Sequence, residues 1–117
     1  MHRTYIDFSE LLVRVENDRE LMRELLAIFK EDFPPHYQAL RQAVASQDAD
    51  RVASVAHTLK GMLSNLAAHE AAGVAALLEN SGRNGNAKEL REILVKFDGI
   101  AEGLMKQLED SLAEVTR

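Results

Sequence analysis

Apolar side chains in this chain return every third or fourth residue, and no run alternates apolar with polar residues or gathers the β-branched ones a half-buried strand would use. An all-α fold is therefore expected. A short first helix is predicted after Asp7, whose carboxylate can accept from free backbone N–H groups while Glu10 sits in the first turn; it carries Phe8, Leu11, Leu12 and Val15. Asn17 or Asp18 caps the next helix, which places Leu21, Leu25, Ile28 and Phe29 on one side. Pro34 removes a backbone donor and pushes Phe33 away from helical geometry, so a break or kink is predicted there. Pro35 suits a new first turn, after which Tyr37, Leu40 and Val44 continue the stripe, as one bent helix or as two.

Asp48 is the expected cap of a helix from Ala49 to Leu66, whose seam reads Val52, Val55, Ala56, Leu59, Leu63 and Leu66. A further helix from about Glu70 carries Ala71, Val74, Leu77 and Leu78 and ends around Gly82, with Asn84-Gly85 making the turn. Asn86 and Glu89 form a capping pair for the last helix, where Leu90, Ile93, Leu94, Phe97, Ala101, Leu104, Leu108 and Leu112 keep a near-heptad beat. Helices with one apolar seam joined by short links pack as antiparallel neighbours. The expected architecture is an up-and-down four-helix bundle with a short extra amino-terminal helix. At 117 residues, 46% of them hydrophobic, the chain suits a single domain, 1–117, around one core.

Several functions are disfavoured by composition. With 14 basic against 19 acidic residues and a formal charge of -5, there is no cluster to track a phosphate backbone, so nucleic acid is not an expected partner. Cysteine is absent, which removes disulfides, thiolate metal sites and thiol nucleophiles and fits a reducing cytoplasm. The amino terminus lacks the apolar run of a signal peptide, and nowhere do apolar residues run long enough to span a bilayer. A soluble, cytoplasmic, monomeric protein without membrane contact of its own is expected.

One side chain stands apart. At about 100° per residue, His57 lies roughly 155° from the centre of the stripe on its helix, so it faces water. Ala53, Ser54, Gly61 and Ser64 are its predicted neighbours on that outer face, all small, with Lys60 at i+3 on the flank. Mid-helix glycine costs about 1 kcal/mol against alanine, so Gly61 hints that another molecule comes close here. A solvent-exposed imidazole keeps a lone pair on one ring nitrogen in most copies at neutral pH, and that lone pair can attack an acyl phosphate. Lys60 is spaced to reach the oxygens of a phosphorylated ring as a point charge. No glycine-rich nucleotide loop, magnesium-holding acidic cluster or second base adjoins His57 in sequence. The chain would thus provide the nucleophile, and a partner the metal and its acidic site.

The run Ala56-His57-Thr58-Leu59-Lys60-Gly61, followed by Leu66-Ala67-Ala68, resembles the signature of histidine phosphotransfer (HPt) domains, including those at the carboxyl ends of hybrid sensor kinases. The likeness runs from Leu11-Leu12 and the Asp18 to Phe33 helix through Leu78-Glu79 and Gly82-Arg83 into the last helix. It implies the bundle fold, phosphorylation of His57 on the ring nitrogen distal to the backbone, a phosphate-facing Lys60 and an access role for Gly61. It also implies a phosphorelay partner, a response-regulator receiver domain that holds Mg2+, with no cofactor on this chain and a sensor kinase as a candidate parent. The chain's start before its first helix and stop after its last suggest a domain cut from such a kinase, though free-standing versions are equally compact. Similar members place glutamine or glutamate beside the histidine from the next helix, and Glu79 matches that position. Glu79 would orient the ring, and Arg83, one turn on, would add positive charge. Two departures stand out: small or serine residues are frequent where Met62 and Leu63 stand, and glycine where Ala67 stands, which puts packing in question more than chemistry.

Bland readings compete with these. His2, His36 and His69 look incidental, Lys60 could be an ordinary solvated lysine, and Glu79 a surface charge. A di-iron bundle needs glutamate three residues before a histidine, but the residues preceding His36, His57 and His69 by three are Phe33, Ser54 and Leu66. No metal site is expected. The alternative function is a non-phosphorylated helical adaptor using the same face for docking. A dimerisation and phosphoacceptor domain of a kinase is weaker, since no ATP-binding domain follows.

Overall fold

The computed structural model describes residues 4–115 of the chain, so His2 lies outside the described residues. Five helices follow one another: α1 (Phe8–Arg14), α2 (Arg19–Ala45), α3 (Ala49–Asn65), α4 (His69–Asn84) and α5 (Ala87–Val115). Links of only a few residues turn the chain back each time, so α2 to α5 run up and down, each packed on the next with α5 closing onto α2. The expected all-α bundle is the observed one.

Local chemistry starts each helix. Asp7, Asp18 and Asp48 accept from the backbone N–H three residues on at 3.0, 3.0 and 3.2 Å. Asp18, not Asn17, is therefore the cap of α2. Asn86 and Glu89 cap reciprocally, the Glu89 N–H donating to Asn86 Oδ1 at 3.1 Å and the Asn86 amide to Glu89 Oε2 at 3.2 Å. Gly85 ends α4 in the left-handed region at φ 70°. Ala67 holds the same region at φ 59° between α3 and α4, where an L-residue costs roughly 1–2 kcal/mol. Ala67 is buried there, and its carbonyl accepts from the Asp7 N–H at 2.9 Å.

α1 lies across the end of the bundle where α3 turns into α4. Arg14 donates to the Ser64 carbonyl at 2.8 Å, and Gln107 Oε1 accepts from the Tyr5 and Ile6 N–H groups at 2.8 and 3.1 Å. These bonds hold Ile6 and Leu11 inside the core.

α2 departs from expectation. No break or second helix occurs at Pro34, because the prolines remove only two backbone donors on the exposed side of a helix whose opposite face is held by burial. Phe33 stays helical and fully buried, stacked on Phe29 with centroids 5.0 Å apart and on Tyr37 at 5.4 Å. A buried phenylalanine contributes about 1.5–3 kcal/mol, of the same order as the roughly 3 kcal/mol an interior proline costs. The core stripe is consequently Leu26, Phe29, Phe33 and Leu40, with Met22 against it. Leu21, Leu25 and Ile28, expected on the core side with Phe29, are exposed, Ile28 by 55%. On α4, Leu77 is likewise exposed by 48%, and the core is made by Ala71, Val74, Ala75 and Leu78. The α5 stripe is as expected, with Ile100 added.

Candidate functional site

α3 and α4 meet along small residues, and this closeness builds the site. A Cβ on Gly82 would lie 2.9 Å from the Ala49 carbonyl oxygen and 2.9 Å from the Ala53 nitrogen, so only glycine lets the two backbones approach this far. Ala53, expected on the outer face around His57, instead faces this contact and is half-buried. One turn before Gly82, Glu79 thereby comes close enough to reach across to α3.

Glu79 is buried, its side chain 4% exposed, and takes three donors. Lys60 Nζ donates to Oε1 at 2.8 Å, Arg83 to Oε2 at 2.6 Å, and His57 Nδ1 lies 2.9 Å from Oε2. The Lys60 hydrogen bond, joined by that from His57 and the charges of Lys60 and Arg83, holds the carboxyl below the usual glutamate range even though desolvation pushes the other way. Two cations against one carboxylate leave the cluster electropositive.

This ionised acceptor decides the state of the ring. A carboxylate can only accept, so Nδ1 must carry the hydrogen it shares with Glu79, and in the neutral ring Nε2 then holds the lone pair. The His57 side chain is 66% exposed, and among the described residues Nε2 has no hydrogen-bond partner. A Cβ on Gly61, one turn along α3, would meet nothing within 4 Å, so the space beside the ring is open. Ser54 and Ser64 are exposed and short. The structure thus brings together His57, Lys60, Gly61, Glu79 and Arg83 as one site.

What sequence reasoning missed is Gly82. It was read as the end of a helix, yet it lies inside α4 and governs the distance to α3. Its one mark in the sequence is a glycine within an apolar helical pattern, where alanine would cost about 1 kcal/mol less. Elsewhere, His69 Nε2 lies 2.6 Å from Glu10 Oε2, and Asp7 joins them with all three ligand-type atoms within 4.8 Å. Glu10 is shared there with Arg14 at 3.2 Å, and Asp7 is occupied as a helix cap. His36 is half-buried on α2 and takes no part. Among the described residues no helix is long and apolar enough to cross a membrane.

His57 thus turns one ring nitrogen to a buried carboxylate and the other outward, beside the two cations that share that carboxylate. The sequence pattern of the Hpt domain family matches residues 24–117. The chain belongs to that family, whose role is histidine phosphotransfer in two-component phosphorelays. Its fold is similar to the crystal structure of histidine-containing phosphotransfer protein B (HptB) from Pseudomonas aeruginosa PAO1, with a TM-score of 0.84, 22% sequence identity, and coverage of 94% of this chain and 96% of that one. No curated protein matches the sequence.

Proposed function

We propose that His57 is the phosphoacceptor and that the chain passes a phosphoryl group to or from the aspartate of a response-regulator receiver domain. The observation that carries this is the outward Nε2 of His57, backed through Nδ1 by buried Glu79. In uptake, the Nε2 lone pair attacks the phosphorus of the receiver's aspartyl phosphate; the P–N bond forms, the P–O bond to the aspartate breaks, and the aspartate leaves as carboxylate. Lys60 and Arg83 stand at Glu79 beside the ring, where their charges favour the incoming oxygens. Gly61 leaves room for the receiver surface. Mg2+ in the receiver would neutralise the phosphoryl oxygens during transfer. On this reading the chain is one domain, a monomeric cytoplasmic phosphocarrier that needs no ATP site or cofactor of its own.

The test is incubation with receiver domains phosphorylated by acetyl phosphate. Wild type is expected to gain an acid-labile, alkali-stable phosphoryl group, and His57→Gln none. Transfer to His57→Gln would refute the assignment, and no transfer from any receiver would leave a helical adaptor as the surviving reading.

A further inference from the structure

Away from His57, and among the described residues, one group of metal-ligating side chains gathers where α1 crosses the α3–α4 turn: Asp7, Glu10 and His69. We propose that these three hold one divalent transition-metal ion, of which Zn2+ is the representative, and that the ion clips α1 to the first turn of α4. The site is independent of the reading of His57 as phosphoacceptor.

The donor set is suited to such an ion. His69 Nε2 lies 2.6 Å from Glu10 Oε2, across 59 residues of chain, and Asp7 adds a carboxylate oxygen so that the three ligand atoms fall within 4.8 Å of one another. Two atoms bound to one zinc ion, each about 2.0–2.2 Å from it, stand no more than about 4.4 Å apart, so a small side-chain movement closes the set. Two carboxylates balance the charge of a dication. The imidazole, supplied by a second helix, distinguishes this group from an acidic surface patch and favours zinc and its transition-metal neighbours over magnesium and calcium, which take oxygen ligands.

The partners these side chains already have leave them able to ligate. Asp7 uses Oδ1 to accept from the Glu10 N–H at 3.0 Å, a bond that orients the carboxylate and leaves its second oxygen for the ion. Arg14 Nη2 donates to Glu10 Oε2 at 3.2 Å, but its Nη1 donates to the Ser64 and Asn65 carbonyls at 2.8 and 3.3 Å, so Arg14 stays anchored when the ion takes Glu10. The ion replaces the hydrogen shared between His69 and Glu10, and the ring ligates as neutral imidazole with its hydrogen on Nδ1. The His69 side chain is 58% exposed, and an open pocket of about 390 Å3, bordered by Tyr5, Phe8 and Ala67, adjoins it and Asp7. That pocket gives the ion a way in and leaves room for water at the fourth position of a tetrahedral site. Sequence spacing does not announce the group, because two ligands belong to the start of α1 and the third to the start of α4.

The experiment is isothermal titration calorimetry of the full chain with ZnCl2 in a non-chelating buffer, repeated with MgCl2 and with the variants His69→Gln and His57→Gln. Wild type and His57→Gln are expected to bind one Zn2+ per chain alike and Mg2+ far more weakly, while His69→Gln loses roughly tenfold or more in zinc affinity. Excess Zn2+ should also raise the melting temperature of wild type and not that of His69→Gln, since the ion binds only the folded chain with α1 docked. Absence of zinc binding overturns the proposal, as does binding that His69→Gln leaves intact, Mg2+ bound as tightly as Zn2+, or loss of binding in His57→Gln, which would put the ion on the other exposed ring. Should His69→Gln not fold, 15N NMR of the wild-type imidazoles decides: a zinc-dependent shift at His69 Nε2 supports the site, and shifts confined to other histidines overturn it.

Discussion

Two seams of this bundle each place a carboxylate between helices, and they are built in opposite ways. Between α2 and α5, Phe29, Phe33, Tyr37 and Phe97 pack ring against ring, with Tyr37 and Phe97 edge-on at 5.7 Å. At its margin Asp98 accepts from the Tyr37 hydroxyl and from Arg41 at 2.7 Å, so donors and acceptor satisfy one another. Between α3 and α4, glycine and alanine replace the rings, the backbones close in, and Glu79 is buried with His57, Lys60 and Arg83 around it. Here the pairing leaves something over: the Nε2 lone pair of a ring that is mostly in water. A polar cluster at a helix seam is therefore no sign of function by itself; an unspent, outward valence is.

The two seams differ most under substitution of each seam's ring. His57→Gln is expected to abolish phosphoryl uptake, whereas Tyr37→Phe, which removes the hydroxyl bonded to Asp98, should leave uptake within about twofold of wild type in the same receiver assay. Comparable losses in both would mean that the two seams are not functionally distinct.

Next in size is a contrast of two glycines on the active seam. Gly61→Leu places a side chain in open space, so its melting temperature should hold or rise slightly, helix propensity improving by about 0.8–1 kcal/mol, while transfer drops by roughly a hundredfold through blocked approach. Gly82→Ala should do the reverse in origin, destabilising by about 1–3 kcal/mol in urea unfolding because its methyl meets the backbone of α3. A normal transfer rate in Gly61→Leu would contradict the access role.

The smallest effects are the pH limits, which lie at opposite ends. Tyr37 is pushed up to about 12 by burial and by its hydrogen bond to Asp98. Its folded value exceeds the unfolded one, so its contribution to stability is whole below the ordinary tyrosine range near 10 and is lost as pH climbs towards about 12. A 13C shift titration of the Tyr37 ring carbon bearing oxygen should show that late midpoint. Glu79 is shifted the other way, chiefly by Lys60, so its contribution is whole above the ordinary glutamate range and is lost as acid carries the pH down through its depressed value. Glu79→Gln should accordingly flatten the acid limb of the stability curve and leave the alkaline limb in place.

The outward direction of His57 could be read from sequence because one strong seam, from Val52 to Leu66, sets the phase of α3. The caps were legible for the same local reason, each depending on residues three apart. On α2 a local rule meets a tertiary one. A break or kink expected at Pro34 hides the Leu26, Phe29, Phe33, Leu40 stripe, whose burial carries the helix through both prolines. Glu79 could be matched to a family position, but a glutamate on an apolar helix looks solvated until the neighbouring helix comes near. That approach is set by Gly82 against Ala49 and Ala53, a contact between segments about thirty residues apart that no periodicity reports.

The nucleophilicity of His57 depends on which ring nitrogen bears hydrogen in the unloaded chain at neutral pH, and 15N NMR of the histidine ring reads this directly. Nδ1 should show as the protonated nitrogen and Nε2 as the bare one, with Glu79→Gln drawing the ring towards a mixture of the two tautomers. Hydrogen found on Nε2 in the wild-type chain, with Nδ1 bare, would contradict the arrangement from which the nucleophile was derived.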